Sequence, residues 1–392
     1  MFGAFLWLGL RSFGGPVAHI GYFRAEFVRS RRWVDERTFA DLIGLTQFLP
    51  GPASSQLGFC VGLLRAGYAG ALAAWAGFTL PSAAALVLFA SGIDALRGAG
   101  PQALLHGLMI VAVAVVAQAV WGMARRLCPD PPRAAIAVLG ALLVLTVHSN
   151  LAQPAVIALG GLSGWALCRR SAAPPASSPN LDPGISPRAG AVALAVFAAM
   201  LAGSVVLRAL SPHATLALFA ACYRSGALVF GGGHVVLPLL REAVVVPGWV
   251  SDARFLAGYG AAQAVPGPLF SFGAYLGAVA NVGPGGVAGA ILGLAGLFLP
   301  GLLIVVGMLP FWTRLRAGAG AQALLHGVNA AVVGLLAAAL YNPVWTSSIR
   351  APADALLALA GAALLIIARV PALAVVLGLT GLRLALTLAG IR

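Results

Sequence analysis

Long apolar runs, separated by short polar clusters, occupy most of this 392-residue chain. A membrane-crossing helix needs about 20 predominantly apolar residues. Runs of that order fall near 2–14, 38–64, 68–92, 103–124, 133–148, 152–168, 189–209, 214–230, 254–280, 286–309, 323–341, 353–368 and 371–390. Several are short, so some pair as tight hairpins or incomplete crossings. The pattern predicts an all-α polytopic membrane protein of about 10–13 membrane segments. The first run has no basic stretch ahead of it and ends in Arg11-Ser12-Phe13-Gly14-Gly15-Pro16 rather than a small-residue cleavage site. It reads as the first membrane element, not a leader.

One stretch, Arg169 to Arg188, is rich in Pro, Ser and Ala and holds too little apolar area to order itself. It divides the chain into 1–168, a linker at 169–188, and 189–392. The two flanks repeat each other. Phe13-Gly14-Gly15-Pro16 is answered by Phe230-Gly231-Gly232-Gly233, and Trp33-Val34 with Phe39 by Trp249-Val250 with Phe255. Gln47 with Pro50-Gly51-Pro52 recurs as Gln263 with Pro266-Gly267-Pro268, Leu80-Pro81 as Leu299-Pro300, and the hexapeptide at 102–107 at 322–327. Low-complexity Ala/Gly/Leu likeness does not put Trp, Gln, His and Pro in register.

Duplicated halves are a common build of secondary transporters. Their relative orientation depends on the 38–64 run. A single crossing makes the halves inverted, and a re-entrant loop makes them parallel. Arg24, Arg29, Arg31, Arg32 and Arg37 crowd the first loop, whereas its counterpart has only Arg241 and Arg254, which favours inversion. Arg125, Arg126, Arg133, Arg169 and Arg170 pull the other way. Inversion is the expectation.

Composition agrees with membrane residence. The chain is 60% hydrophobic and 9% charged, with mean hydropathy +0.97, far from the roughly one-quarter charged residues of soluble domains. All 24 basic side chains are arginine and the formal net charge is +14. They are scattered in short loops without a continuous basic face, which argues against nucleic acid and for topology and anionic headgroups. The four cysteines are dispersed, so neither a disulfide framework nor a metal site is expected. No zinc-protease, nucleophile-elbow, P-loop or dinucleotide signature occurs, so neither an enzyme nor a cofactor is expected. Without a nucleotide-binding domain, transport has to run on a gradient or on exchange.

The Pro-Gly-Pro segments are the first candidates for chemistry. Proline donates no backbone hydrogen bond and disfavours helix in the residue before it, so Pro50-Gly51-Pro52 interrupts a helix in mid-membrane. A half-helix starting after Pro52 aims free amides and a positive dipole end inward, with Ser54 and Ser55 at its mouth, which suits an anion. Gln263, Pro266-Gly267-Pro268 and Ser271 offer the same from the second half. The competing reading is a packing kink, which duplication at matched positions weakens. Gly14, Gly15 and Pro16, with Gly231, Gly232 and Gly233, permit close backbone approach. His19 and His234 follow them as gating or coupling candidates, although an interfacial histidine is as good a reading. Arg11, Arg65 and Arg224 can attract a dianion. Asp41, Asp94 or Glu242 can carry a proton, with snorkelling or a surface pair the plainer alternative for each. His106 and His326 carry the same discount.

Ser12-Phe13-Gly14-Gly15-Pro16, Arg31-Arg32-Trp33-Val34, Gln47 to Pro52 and the second set from Phe230 to Pro268 together resemble the chromate ion transporter family over nearly the whole chain. The resemblance implies a long member formed by fusion of two single-domain units of opposite orientation. It implies a bacterial inner-membrane protein that exports chromate on the membrane potential or proton gradient and gives chromate resistance, with sulfate as the look-alike anion. The alternatives are a sulfate or other anion permease with incidental chromate transport, and an intramembrane enzyme using His19 or His234. Lipids are the expected surroundings and a homodimer is left open. One departure is that His234 aligns beside Val17, not on His19.

Overall fold

The computed structural model describes residues 1–93, 99–147, 149, 152–169, 184–209, 214–230, 233–312, 315 and 318–388. The linker expected at 169–188 lies mostly outside the described residues, as do Gly231, Gly232 and Asp94. Among the described residues the structure is helical and without strands. The first half comprises α1 (Phe2–Arg11), α2 (Gly15–Phe23), α3 (Glu36–Phe48), α4 (Ala53–Ile93), α5 (Ala99–Leu127), α6 (Pro131–Thr146) and α7 (Ala152–Leu167). The second comprises α8 (Pro187–Ala209), α9 (Ala214–Ala227), α10 (Val236–Leu240), α11 (Asp252–Ala264), α12 (Phe272–Val279), α13 (Gly286–Met308), α14 (Ala319–Ala339), α15 (Pro352–Ile366) and α16 (Ala372–Leu388). Five segments are long and apolar enough to cross a membrane, Ala53–Gly92, Gln102–Leu127, Pro187–Leu207, Gly286–Phe311 and Ala319–Ser348, and six shorter apolar helices accompany them. Leu88, Ile291, Leu356 and Ile367 stand outward as part of a broad exposed apolar surface. This is a multi-pass membrane protein.

The repeat seen in the sequence is a repeat in space. Asp35 caps α3 and Ser251, at the matching position, caps α11. The Thr38 amide and hydroxyl and the Arg37 amide all donate to Asp35, which holds its carboxyl below the usual carboxylate range. Just upstream, α2 and α10 each run into a π-helical turn, Arg24–Ser30 and Arg241–Val245. The segment after Pro16 is thus helical where the charge pattern suggested a loop. Its apolar face accounts for this: Phe23 and Phe27 are buried completely, and Phe27 stacks on Phe5 at 4.6 Å.

α4 is two helices. Ala66 and Gly67 leave helical geometry, and a methyl group built on Gly62 would lie 2.5 Å from the Gly70 carbonyl oxygen. In one continuous helix those residues are about 12 Å apart along the axis, so the chain folds back on itself there. α12 and α13 form the same hairpin, with Gly277 and Gly289 in backbone contact.

Past these hairpins the halves exchange elements. α6 and α7 of the first half pack on α14 of the second, and α15 and α16 of the second pack on α5 of the first. Small residues make the close approaches possible, as is usual where hydrophobicity gives no drive between helices in lipid. Gly107 on α5 meets Thr380 on α16, and its repeat partner Gly327 on α14 meets Gly160 and Gly164 on α7. Among the described residues α8 has no counterpart in the first half.

Adding a methyl at Gly327 drives it into the Gly160 carbonyl and to 2.5 Å from the Gly164 Cα. Gly327→Ala is expected to cost about 1–3 kcal/mol by overpacking, read as a lower melting temperature of the purified protein in detergent. Gly381→Ala, where a Cβ meets nothing within 4 Å, is expected to leave it unchanged.

Candidate anion site between the two halves

α3 ends at Phe48 and α4 begins at Ala53, with Pro50-Gly51-Pro52 between them. α11 ends at Ala264, and a 3-10 turn, Leu269–Ser271, leads into α12 after Pro266-Gly267-Pro268. Gly51 and Gly267 have φ of 123° and 108°, a region that only glycine enters cheaply. Each freed glycine amide is satisfied by the opposite half. Gly51 N–H donates to Val229 O at 2.7 Å, and Gly267 N–H donates to Ser12 O at 2.9 Å. Val229 and Ser12 are themselves repeat partners, each just ahead of its glycine run.

Further contacts close the junction. Gly301, beside Pro300 in α13, packs against Gly51 and Pro52, while Ser82, beside Pro81 in α4, packs against Gly267. A Cβ on Gly233 would lie 3.9 Å from Pro16 Cγ, so Gly233 and the first glycine run reach the same place. Gly14 and Gly15, with φ of 99° and 73°, turn the chain into α2, and Pro16 sits in its first turn.

Polar side chains gather on this backbone. His19 is buried, with Nε2 3.1 Å from Ser12 O and Nδ1 3.1 Å from Ser54 Oγ. A carbonyl only accepts, so Nε2 carries the proton and Ser54 donates to Nδ1. Ser12 O therefore serves both His19 and Gly267. Gln56 is buried completely, and its Nε2 donates to Pro50 O at 2.8 Å and to Gly301 O at 2.9 Å, bridging the halves. The hydroxyls of Ser12, Ser55 and Thr79, the Oε1 of Gln56 and the Nε2 of Gln263 are buried without a hydrogen-bond partner in the protein. Ser271 donates to Pro268 O at 2.7 Å, closing the turn into α12.

The structure does not bring every candidate here. Gln47 is exposed while its counterpart Gln263 is half-buried, so the two amides do not face each other symmetrically. Arg65 is exposed at the far end of the first arm of α4, 12 residues and roughly 18 Å from its start. Arg11 pairs with Glu26 at 3.6 Å and lies over Trp7. Asp41 is buried on α3, more than two turns before the break. His234 Nδ1 is 2.7 Å from the Tyr259 hydroxyl and has no part like that of His19. Thr79 and Ser82 were not singled out from the sequence, and Ser12 and Gln56 stood there only as parts of longer motifs, not as site candidates. Gln56 had one signal, a lone amide followed by apolar residues to Leu64.

A cavity of about 690 Å³ lies elsewhere, among α7 to α10, and one of about 300 Å³ among α6, α7, α10 and α14, with Glu242 and Gln153 on the walls of both. Neither is lined by a Pro-Gly-Pro residue. Among the described residues no three His, Cys, Asp or Glu side chains converge to hold a metal.

What the junction offers chemically is a set of neutral donors: hydroxyls, a side-chain amide and the first amides of α4, which have no partner within the helix. Such groups take a tetrahedral oxyanion at a helix N-terminus.

Gln56→Leu keeps the volume and strips the donor from two buried carbonyls. Each orphaned group costs about 1–3 kcal/mol, so the purified variant is expected to unfold at a clearly lower temperature than wild type.

Residues 1–165 and 216–384 match the family model described as chromate transporter. The chain is 31% identical to the chromate transport protein of Pseudomonas aeruginosa, over 90% of this chain and 82% of that one. It is 26% identical to the chromate transport protein of Cupriavidus metallidurans, over 92% and 86%. It is 34% identical to the uncharacterized transporter YwrB of Bacillus subtilis, over 31% of this chain and 61% of that one. No solved structure matches it. The chain belongs to the chromate transporter family.

Proposed function

We propose that this member of the family is a secondary transporter that exports chromate across the bacterial inner membrane, driven by the proton gradient or the membrane potential, and thereby gives chromate resistance. The observation that carries the reading is the reciprocal junction, in which each half's broken helix is completed by the other half's backbone and partnerless donors line the seam. A dianion is costly in hydrocarbon unless dipoles or cations meet its charge. Ser12, Ser55, Thr79 and Gln263, with the first amides of α4, supply dipoles from both halves. Rocking of one half on the other then exposes the seam to each side in turn.

The halves, 1–168 and 189–392 about a linker at 169–188, are inverted in this reading. The additional helix α8 supports it: Pro187–Ala209 lies between the two stretches matched by the family model and supplies an odd crossing.

Everted membrane vesicles containing the protein are expected to accumulate chromate when energised, with sulfate competing. No energised uptake sinks the proposal, and uptake confined to right-side-out vesicles reverses the direction. Relief of sulfate starvation in cells would instead make it a sulfate importer. Ser55→Ala is expected to raise the KM for chromate about tenfold, the value of one hydrogen bond to a charged group, at an unchanged melting temperature. Single cysteines replacing Arg32 and Gly248, in an otherwise cysteine-free chain, are expected to be labelled from opposite faces of the membrane. Labelling from one face excludes inversion.

A further inference from the structure

Away from the junction, a second polar cluster crosses between the halves. His106 on α5, Asp354 on α15 and Arg383 on α16 are all at least nine-tenths buried, at 8%, 0% and 9% exposure. His106 Nε2 lies 2.9 Å from Ser348 O and 3.4 Å from Asp354 Oδ2. Arg383 Nε donates to His106 Nδ1 at 3.4 Å and lies 3.4 Å from Asp354 Oδ1. The tautomer follows: the carbonyl requires a proton on Nε2, and the guanidinium requires a lone pair on Nδ1. The imidazole is therefore neutral, and Arg383 and Asp354 balance each other.

The cluster is also incompletely satisfied. Arg383 Nη1, Thr380 Oγ1 and Ser348 Oγ have no hydrogen-bond partner, and Asp354 Oδ1 accepts none. Buried charged groups left this way are a poor means of stabilising a fold. It lies just beneath the turn before α15, where the Arg350 and Ala351 amides donate to Asp354 and the Arg350 side chain is exposed. Among the described residues, the charged groups acting on His106 are Asp354, Arg350 and Arg383; none comes from α11 or α14, which also pack on α5.

Its counterpart is built differently. His326, the repeat partner of His106, is half-exposed, near Asp130 and Arg133 of the first half. There the carboxylate is occupied by Arg133 Nε at 2.8 Å, on the same helix end.

We propose that His106 is the proton-binding site that couples transport to the proton gradient, with Asp354 and Arg383 as positioning residues. The inference rests on the transport reading above. A proton taken up on Nδ1 gives an imidazolium, removes the acceptor of Arg383 and sets two buried cations against one carboxylate. Relief comes from moving α16 away from α5. The adjoining residues carry that movement onward: Gly107 touches Thr380 of α16, and Leu108 touches Gly260 of α11, the helix that ends just before Pro266.

The test uses the purified full chain in proteoliposomes and measures two things, chromate counterflow at equal pH and accumulation driven by an imposed pH gradient. Chromate's own protonation is common to all samples. His106→Gln, which keeps an amide donor for Ser348 O, and Asp354→Asn, which keeps an acceptor for the capping amides, are expected to hold counterflow within about twofold of wild type and to lose accumulation. His326→Gln is expected to keep both. Gradient-driven accumulation retained by His106→Gln overturns the proposal. So does loss of counterflow in both cluster variants, which makes the cluster structural. A wild-type protein with counterflow but no response to the pH gradient overturns the coupling and leaves anion transport standing, whereas wild type without counterflow overturns both.

Discussion

Backbone amides have to be satisfied inside a membrane, and in this protein two of them are satisfied only across the seam between the halves. Pro50-Gly51-Pro52 and Pro266-Gly267-Pro268 break their helices, and the amides so released need partners. Gly51 N–H finds Val229 O and Gly267 N–H finds Ser12 O. Neither half closes its own break, so a single repeat would leave a buried donor and acceptor unpaired. Two such units have to meet, whether fused in one chain or brought together as separate chains. Gln56, donating to a carbonyl of each half, adds a side-chain brace to the same seam.

The exchange of α6–α7 and α15–α16 serves the same end by packing. Each pair lies on the long helix of the other half, and contacts such as Gly327 on Gly160 bring backbones together where any side chain would hold them apart. Dispersion across such contacts replaces the hydrophobic drive that lipid removes. The junction is thus held from its own turns and from exchanged helices at once, and a rearrangement at one is felt at the other.

Much of this was legible in residues, and the part that was not has identifiable causes. Proline and glycine act locally, so the breaks at Pro50 and Pro266 and the end of the first helix ahead of Pro16 could be read directly. Trp33 and Trp249 marked the repeat because tryptophan is rare. Helix α2 was hidden, because basic residues around Arg24 to Arg32 looked like a loop while Phe23 and Phe27 buried the opposite face. Gln56 was missed for a related reason: its repeat counterpart is Phe272, so a search for duplicated polar residues passes over it. The same search promoted Gln47, which is exposed. The exchange of helices left no mark at all, since Gly107 and Gly327 report a close neighbour without saying whose.

Charge is kept out of the junction and concentrated elsewhere, and there is a physical reason for the separation. At an effective dielectric of about 20, one cation 4 Å from one unit of negative charge is worth about 4 kcal/mol, and a dianion doubles it. A transporter has to release its anion as well as bind it, and a fixed guanidinium at the seam would make release slow. In the site proposed above, neutral donors such as the Ser55 hydroxyl and the first amides of α4 bind in smaller steps. His19, the titratable side chain at the seam, is held between Ser12 O and the Ser54 hydroxyl as a neutral imidazole, so it adds no charge there. In the coupling proposed above, a change of charge among His106, Asp354 and Arg383 on α5, α15 and α16 acts through helix position instead. The sequence of contacts from His106 through Gly107 and Leu108 to α11 is short enough for that. It ends on the helix whose broken end donates Gly267 N–H to Ser12 O, the bond on which the seam depends.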